Sequence, residues 1–400
     1  MSVTAQDEIH LTRALHLARQ AAAFASPNPT VGCVLTRENT ILGEGAHHYE
    51  ARDHAEIAAL KQASSSGHSV SGATAYVTLE PCSHQGRTGP CANALIAAGI
   101  QRCVVATVDP NPLVRGQGLA RLRAADIAVD LLNTSHPLAR QARRLNDAFA
   151  HFIQHRRPFV TLKAALSLDG KLAPPPSSRT QKTPHWITGT AARADVQLLR
   201  HESDAILTGI GTILADDPSL TDRTGLPRRR PLLRTVLDSA LRTPPDSRIV
   251  TSAANDLLIL CSQHPTGVDD VQPDPSGRAS RLTSRKAEVV HIPTLHHHLD
   301  LHAALRELAH RQMVSVLVEA GSAINAGFLS SDLVDRVVLY YGATPLGDAA
   351  ISFAANSVSP YALQQRLIRS TRSTFPSNMV PNGEDIRITG YLHDPWAGVD

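Results

Sequence analysis

Three short apolar runs in the first third, VGCVLT (31–36), TAYVTLE (74–80) and RCVVATV (102–108), constrain the fold more than any other feature. Each reads as a strand, and a helical stretch follows each of the last two. Strand–helix alternation of this kind implies an α/β sheet with crossover helices. Ahead of them, Ile9, Leu11, Leu15, Ala18 and Ala22 recur at three- and four-residue spacings, predicting an amphipathic helix over 7–25. SPNP (26–29) stops it, because Pro27 and Pro29 each force the preceding residue out of the helical region.

A helix near 137–152 runs into HRRP (155–158), where the expected domain boundary lies, near 153–157. Beyond it PFVTLKAAL (158–166) reads as a buried strand and 190–202 as a helix. Further strands are expected near 204–208, 233–238, 257–261, 287–292, 314–318 and 335–341. PPPSS (174–178) and the polar stretch 262–285 read as loops. Four hundred residues are too many for one ordinary domain, so two are expected, over 1–153 and 157–400. A net charge of +3 and 4% aromatic residues argue against a nucleic-acid partner. No apolar run approaches the ~18 residues of a membrane span. MSVTAQDEIH has neither a basic n-region nor an apolar h-region, and five cysteines form no disulfide framework. A cytoplasmic enzyme with reduced thiols is the expectation.

His54-Ala55-Glu56 opens a helical pattern, Pro81-Cys82 follows a predicted strand, and Cys91 begins another helix. One imidazole and two thiolates are the ligand count of a catalytic zinc site that leaves its fourth position to water. Helix N-termini favour the thiolates such a metal needs. Zinc lowers the pKa of bound water, and Glu56, two residues from His54, is placed to carry the proton to a departing amine. Zinc-dependent base deaminases couple H-x-E with P-C-x-x-C. Here eight residues separate the cysteines, so that pattern is half met. The alternative is a closed structural zinc site with His84 as fourth ligand, which leaves Glu56 unexplained.

The longer text around these ligands, SPNPTVG (26–32), GEGAHHYEARDHAEIAAL (43–60), AYVTLEPCSHQGRTGPC (75–91) and DPNP (109–112), closely resembles the deaminase half of the bifunctional riboflavin-biosynthesis deaminase/reductases. The resemblance implies an N-terminal cytidine-deaminase-like domain with one zinc ion per chain. It makes His54, Cys82 and Cys91 the ligands and Glu56 the proton donor, and it places Asn28 and His47 in the substrate pocket. Two departures, Gly89 for a second proline and Glu50-Ala51 for Ala-Gly, touch no ligand.

In the second half, Lys163 lies on the first strand and SLDGK (167–171) is a turn. TGIGTILADDP (208–218) offers small residues suited to close approach by a cofactor, and LVEAGSAINAGFL (317–329) reads as strand, tight turn and helix start. Without G-x-G-x-x-G in that turn a Rossmann fold is not indicated, and packing glycines explain the pieces equally well. FVTLKAALSLDGKLA, HWITG, QLLRHESDAILTGIGTILADDPSLTDR, VLDSALRTP and VEAGSAINAGFL resemble the same family's reductase domain. That likeness implies a dihydrofolate-reductase-like fold, NADPH as cofactor, and a homo-oligomer, dimer or tetramer. It makes Ala165, Trp186, Thr212, Asp216, Ser239 and Gly321, Ser322, Ala323, Ile324, Asn325, Ala326 and Gly327 cofactor contacts. Arg200, Leu220, Arg223 and Glu319 become substrate contacts, the arginines as clamps for the substrate phosphate, with Lys163 a proton donor or anchor. Pro184 replaces a family serine that contacts substrate, so a side-chain hydrogen bond is lost there.

The implied substrate is a small pyrimidine ribotide, deaminated and then reduced at its ribosyl group. The competing readings are a deaminase of another base with an inactive reductase-like domain, and a non-catalytic zinc-stabilised binding protein. Cys33, Cys103 and Cys261 sit in apolar runs and read as packing; His296-His297-His298 and Arg228-Arg229-Arg230 read as solvated turns.

Overall fold

The computed structural model describes residues 3–84, 89–178, 185–262 and 277–399. The chain divides into two compact units. The first comprises Met1–Arg156 with Pro227–Arg230 and Pro395–Asp400, and the second Arg157–Leu226 with Pro231–Asp394. A single cut near 153–157 therefore misses two short segments that group with the first unit. Trp396 draws the tail there: its indole N–H donates to the Arg143 carbonyl and to Asp147, and the ring is buried in the first unit's core. Pro227–Arg230 is likewise no plain exposed turn, since the Arg229 guanidinium lies 4.4 Å over the Tyr49 ring and pairs with Glu50.

The first unit is built on a five-stranded sheet in the order Thr40–Ala46, Gly32–Arg37, Thr74–Val77, Arg102–Val105, Ala128–Leu131. Gly32–Arg37 runs antiparallel to both neighbours and the last three strands are parallel. The Thr40–Ala46 strand escaped the sequence reading because Gly43 and Gly45 break its apolar alternation. Those glycines serve packing: a Cβ on Gly43 would stand 2.4 Å from the Ala59 carbonyl oxygen. Helix Ala5–Ala25 opens with a capping box in which Thr4 and Asp7 satisfy each other's backbone N–H groups. Its Leu11, Ala14 and Leu15 pack with Val34, Tyr76 and Val104 from the sheet. Helix 137–152 is in fact two, Pro137–Leu145 and Asp147–His155, broken at Asn146.

The second unit holds a nine-stranded sheet. Its order begins Ala287–Ile292, Leu257–Ser262, Leu233–Leu237, Ala205–Gly209 and continues Ser315–Val318, Phe159–Leu166, Arg336–Tyr341, Gly383–Tyr391, Ile368–Ser377. The first seven are parallel and the last two form an antiparallel edge. The parallel strands are near-continuous apolar runs, as strands covered on both faces must be. Hence they were legible, whereas the final hairpin, polar and largely exposed along Ile368–Ser377, was not. The stretch 262–285, read as loop, contains helix Arg278–Thr283, while 263–276 lies outside the described residues. His296 and His297 form the exposed tip of a short hairpin, and Cys33, Cys103 and Cys261 are buried. No helix among the described residues is long and apolar enough to cross a membrane.

Candidate active sites

Helix Ala55–Ser65 begins at His54, an N-cap of extended backbone whose imidazole makes no capping bond. Helix Cys91–Ala97 begins at Cys91, and its first N–H points at the Cys82 sulfur, 3.3 Å away. Three elements thus deliver three ligand atoms to one spot. His54 Nδ1 lies 3.2 Å from Cys91 Sγ and 3.5 Å from Cys82 Sγ. Zinc bonds of about 2.0–2.3 Å in tetrahedral directions require ligand atoms roughly 3.5–3.8 Å apart, so the nitrogen–sulfur donor set fits that ion. Among the described residues this group is His54, Cys82 and Cys91, all within 4.8 Å. His84 is not in it and instead lines the neighbouring cavity. The Cys82 thiol is pushed down by a hydrogen bond from Cys91, and by His54, against the opposing effect of burial.

That cavity, of about 280 Å³, is lined by Asn28, His47, His54, Glu56 and Cys82 among others. Glu56, one of its lining residues, is 3% exposed. Burial, and then the negative charge on Cys82, raise its carboxyl to about 7. His47 is oriented from both sides. Its Nδ1 donates to the Asp53 carbonyl at 2.8 Å, and the amide nitrogen of Asn28 approaches Nε2 at 3.0 Å. A carbonyl only accepts, so Nδ1 carries the proton and Nε2 takes the Asn28 amide hydrogen. The Asn28 amide oxygen is then turned to other partners.

Two supports of this site escaped the sequence reading. Asn146, at the break between helices, accepts the Thr30 N–H at 2.7 Å and donates to the Thr30 carbonyl at 3.0 Å, fixing the loop that carries Asn28. A partner 116 residues away leaves no local trace. The Glu80 carboxylate accepts the N–H groups of Asp109, Gly116, Gly118 and Leu119. An acidic residue between an apolar strand and a metal ligand was the available signal. Asp109, also at the cavity, has its carboxyl raised to about 6 by burial.

In the second unit several of the expected residues lie at or just beyond the carboxyl ends of the parallel strands, where open α/β sheets bind ligands. Lys163 and Ala165 lie near the end of Phe159–Leu166, and Glu319 follows Ser315–Val318. Glu319 binds two of the residues named with it: the Arg200 guanidinium at 2.7 and 3.0 Å, and the Lys163 ammonium at 3.3 Å. Burial alone would raise the Glu319 carboxyl, but Arg200 and then Lys163 bring it down to about 2. Arg200, on helix Thr190–His201, also donates to the Thr221 carbonyl beside Leu220, so it is committed to protein partners more than a simple phosphate clamp would be. Arg223 differs. Burial, and then the fields of Arg200 and Arg248, lower its pKa, while Glu319 opposes them.

Thr212 and Asp216 lie on helix Ile210–Asp216 after Ala205–Gly209, and Ser239 is exposed beyond the adjacent strand. Gly321 caps helix Ser322–Ser330, which carries Ser322 to Gly327. A Cβ on Gly209 would strike the Ile324 side chain at 2.2 Å, so that helix start is seated closely on the strand end. Gly321 is exposed, and a Cβ there would meet nothing within 4 Å. Asn325 is turned inward and donates to the Phe353 carbonyl, a structural contact. Trp186 is half-exposed with the Arg193 guanidinium 4.5 Å over its ring. Pro184 lies outside the described residues.

Residues 4–107 match the cytidine and deoxycytidylate deaminase zinc-binding region, and residues 158–374 match the RibD C-terminal domain. The riboflavin biosynthesis protein RibD of Escherichia coli strain K12 is 41% identical over 357 residues, covering 86% of this chain and 90% of its own. RibD of Bacillus amyloliquefaciens is 36% identical, with 98% of each chain covered. Among solved structures, Acinetobacter baumannii RibD superposes with a TM-score of 0.73 at 32% identity, covering 96% of this chain and 98% of that one. A diaminohydroxyphosphoribosylaminopyrimidine deaminase/5-amino-6-(5-phosphoribosylamino)uracil reductase from Thermotoga maritima gives 0.76 at 28%, covering 96% and 99%. The expected pairing of a cytidine-deaminase-like fold with a dihydrofolate-reductase-like fold is borne out. With its zinc-ligand cluster assembled in the first unit and its parallel sheet in the second, the chain belongs to the RibD family, the bifunctional deaminase/reductases of riboflavin biosynthesis.

Proposed function

We propose that residues 1–153 deaminate 2,5-diamino-6-(5-phosphoribosylamino)pyrimidin-4(3H)-one, and that residues 157–400 use NADPH to reduce the ribosyl group of the resulting 5-amino-6-(5-phosphoribosylamino)uracil to ribityl. The observation that carries the first step is Glu56, buried and lining the same cavity as His54 and Cys82 of the ligand cluster. Zinc, when bound there, supplies a Lewis acid that makes water nucleophilic near neutral pH. The chain does the rest. Water adds to the amino-bearing ring carbon, Glu56 takes its proton and returns it to the departing amine, and ammonia leaves. A carboxyl raised to about 7 suits both directions of that transfer. The Asn28 amide oxygen, set by His47, accepts a pyrimidine N–H.

In the second step the ribose ring opens, C1′ accepts hydride, and a proton reaches the adjacent nitrogen with Lys163 as donor. Glu319 keeps Lys163 and Arg200 at the strand ends, and Arg223 meets the substrate phosphate. Exposed Gly321, the N-cap of helix Ser322–Ser330, suits a backbone approach by the cofactor pyrophosphate to the N–H groups of that helix. The resemblance to the family supports a cytoplasmic homo-oligomer, which sedimentation would read directly.

The test is NADPH oxidation by the zinc-loaded protein given the diaminopyrimidine ribotide, beside a Glu56→Gln variant. Oxidation by wild type, absent in the variant and restored by the deaminated ribotide, is the expected result. No oxidation with either substrate overturns the reductase assignment, and ammonia release then decides the deaminase alone.

A further inference from the structure

Pro227–Arg230 comes from the second half of the chain, yet it groups with the first unit. Nothing in the activity described above employs it. Pro227 and Pro231 stiffen the backbone at its two ends, and the Arg228 guanidinium donates to the Arg230 carbonyl at 2.7 Å, folding the segment on itself. The segment rests on two loops of the first unit. On one, the Arg229 N–H donates to the Ala23 carbonyl at 3.1 Å and the Arg230 guanidinium to the Ser26 hydroxyl at 3.2 Å. On the other, the Arg229 guanidinium covers the Tyr49 ring and reaches Glu50 at 3.1 Å. The Arg229 side chain is 14% exposed and that of Glu50 74%, so the shielded ring contact holds the arginine more than the surface ion pair does.

Both loops border the deaminase cavity: Asn28 of the first and His47, Tyr49 and Arg52 of the second line it. The loops are tied to each other as well. The Tyr49 N–H donates to the Phe24 carbonyl at 3.0 Å, and the Phe24 and His48 rings stack at 4.9 Å. The Asn28 N–H closes its own turn on the Ala25 carbonyl, and the Arg52 N–H closes another on the Tyr49 carbonyl. Arg229 therefore touches a cavity-lining ring directly, and Arg230 holds the residue two positions before Asn28. We propose that Pro227–Arg230 is a strap that completes the deaminase site, with Arg229, through Tyr49, and Arg230, through Ser26, as positioning residues for the loops that receive the pyrimidine ribotide. The identity of that ligand rests on the deaminase reading above; the hold of the strap on the two loops does not.

The experiment compares the zinc-loaded full chain with its Arg229→Ala, Arg229→Lys and Glu50→Ala variants, by amide hydrogen exchange and by ammonia release from the diaminopyrimidine ribotide. In Arg229→Ala the amides of Asn28 and Tyr49 should exchange about tenfold faster, while the strand Gly32–Arg37 keeps its protection. KM for the ribotide should rise about fivefold or more with kcat and zinc content little changed, as when binding groups are misplaced. KM for the deaminated ribotide in the reductase step should stay where it is. Arg229→Lys, which keeps a cation over the ring, should recover part of the loss, and Glu50→Ala should change little. Unchanged exchange at Asn28 and Tyr49, or an unchanged ribotide KM in a protein that releases ammonia, overturns the proposal. So does faster exchange across the whole first unit with loss of zinc, the mark of a merely structural contact. A wild type that releases no ammonia overturns the deaminase assignment, and the exchange rates then decide the strap by themselves.

Discussion

Glu80 receives the backbone N–H of Gly118 at 2.9 Å, and the carbonyl of the neighbouring Pro81 fills the place where Gly118 would carry a Cβ, 1.9 Å from it. The start of helix Gln117–Ala124 is thereby pressed onto the residue that precedes the metal ligand Cys82. Gly118→Ala must push these apart. The expected outcome is a loss of zinc on desalting, measured by metal analysis, and destabilisation of about 3 kcal/mol or more. Glu80→Gln removes the charge from four charge-assisted bonds and replaces one acceptor by a donor facing N–H groups. It should cost about 2 kcal/mol and loosen zinc less than Gly118→Ala does.

Glu319 gives the pH dependence. Its carboxyl is depressed to about 2 in the folded chain, against an ordinary value near 4.3 in the unfolded one. A depressed carboxyl contributes stability that is complete above the unfolded value and is lost as pH falls through the folded one. Glu319→Gln leaves Arg200 and Lys163 without their counter-ion and should destabilise the second unit by about 2–4 kcal/mol at pH 7. In denaturant titrations the gap from wild type should hold constant from pH 8 to pH 5 and shrink below pH 4. A gap that persists undiminished to pH 2 would contradict the ion-pair account.

How much of this was legible depended on whether the signal was local. His54, Glu56, Cys82 and Cys91 were readable because each sits at a helix start or strand end that its own neighbours announce. The inner parallel strands were readable because burial on both faces makes them largely apolar, and the edge strand Ala287–Ile292 by its Val289-Val290 pair. Asn146 and Glu80 were not singled out, because their meaning lies in partners far along the chain. Thr40–Ala46 was hidden by glycines that allow a helix to approach, and Ile368–Ser377 by an edge position that asks for no apolar face. The commitment of Arg200 to Glu319 was also invisible, since the sequence names both residues but not their pairing.

Asn146 fixes Thr30 without touching the cavity, so its role is positional. Asn146→Ala removes both bonds to the Thr30 backbone and frees the segment bearing Asn28. The expected result is a KM for the diaminopyrimidine ribotide raised about tenfold with full zinc content, kcat falling less. Equal loss of kcat and zinc would instead indicate general unfolding of the first unit. Thermal unfolding, which a buried amide of this kind should lower, has to be compared alongside.

The two tryptophans report on different units. Trp396 is 2% exposed, with its indole N–H shared between the Arg143 carbonyl at 3.2 Å and Asp147 at 3.0 Å, and with the Arg143 guanidinium 5.0 Å from its ring. Trp186 is 49% exposed. Trp396→Ala empties a large buried site and should cost about 3–5 kcal/mol. Trp396→Phe keeps most of the apolar bulk and should cost about 1–2 kcal/mol through the lost hydrogen bonds. In Trp186→Phe the remaining emission is that of Trp396, blue-shifted and moving to the red only when the first unit unfolds. In Trp396→Phe the remaining emission is that of Trp186, and NADPH should quench it while leaving the Trp186→Phe protein's emission unchanged. Quenching confined to Trp396 would place the nucleotide away from Trp186 and remove that residue from the cofactor contacts.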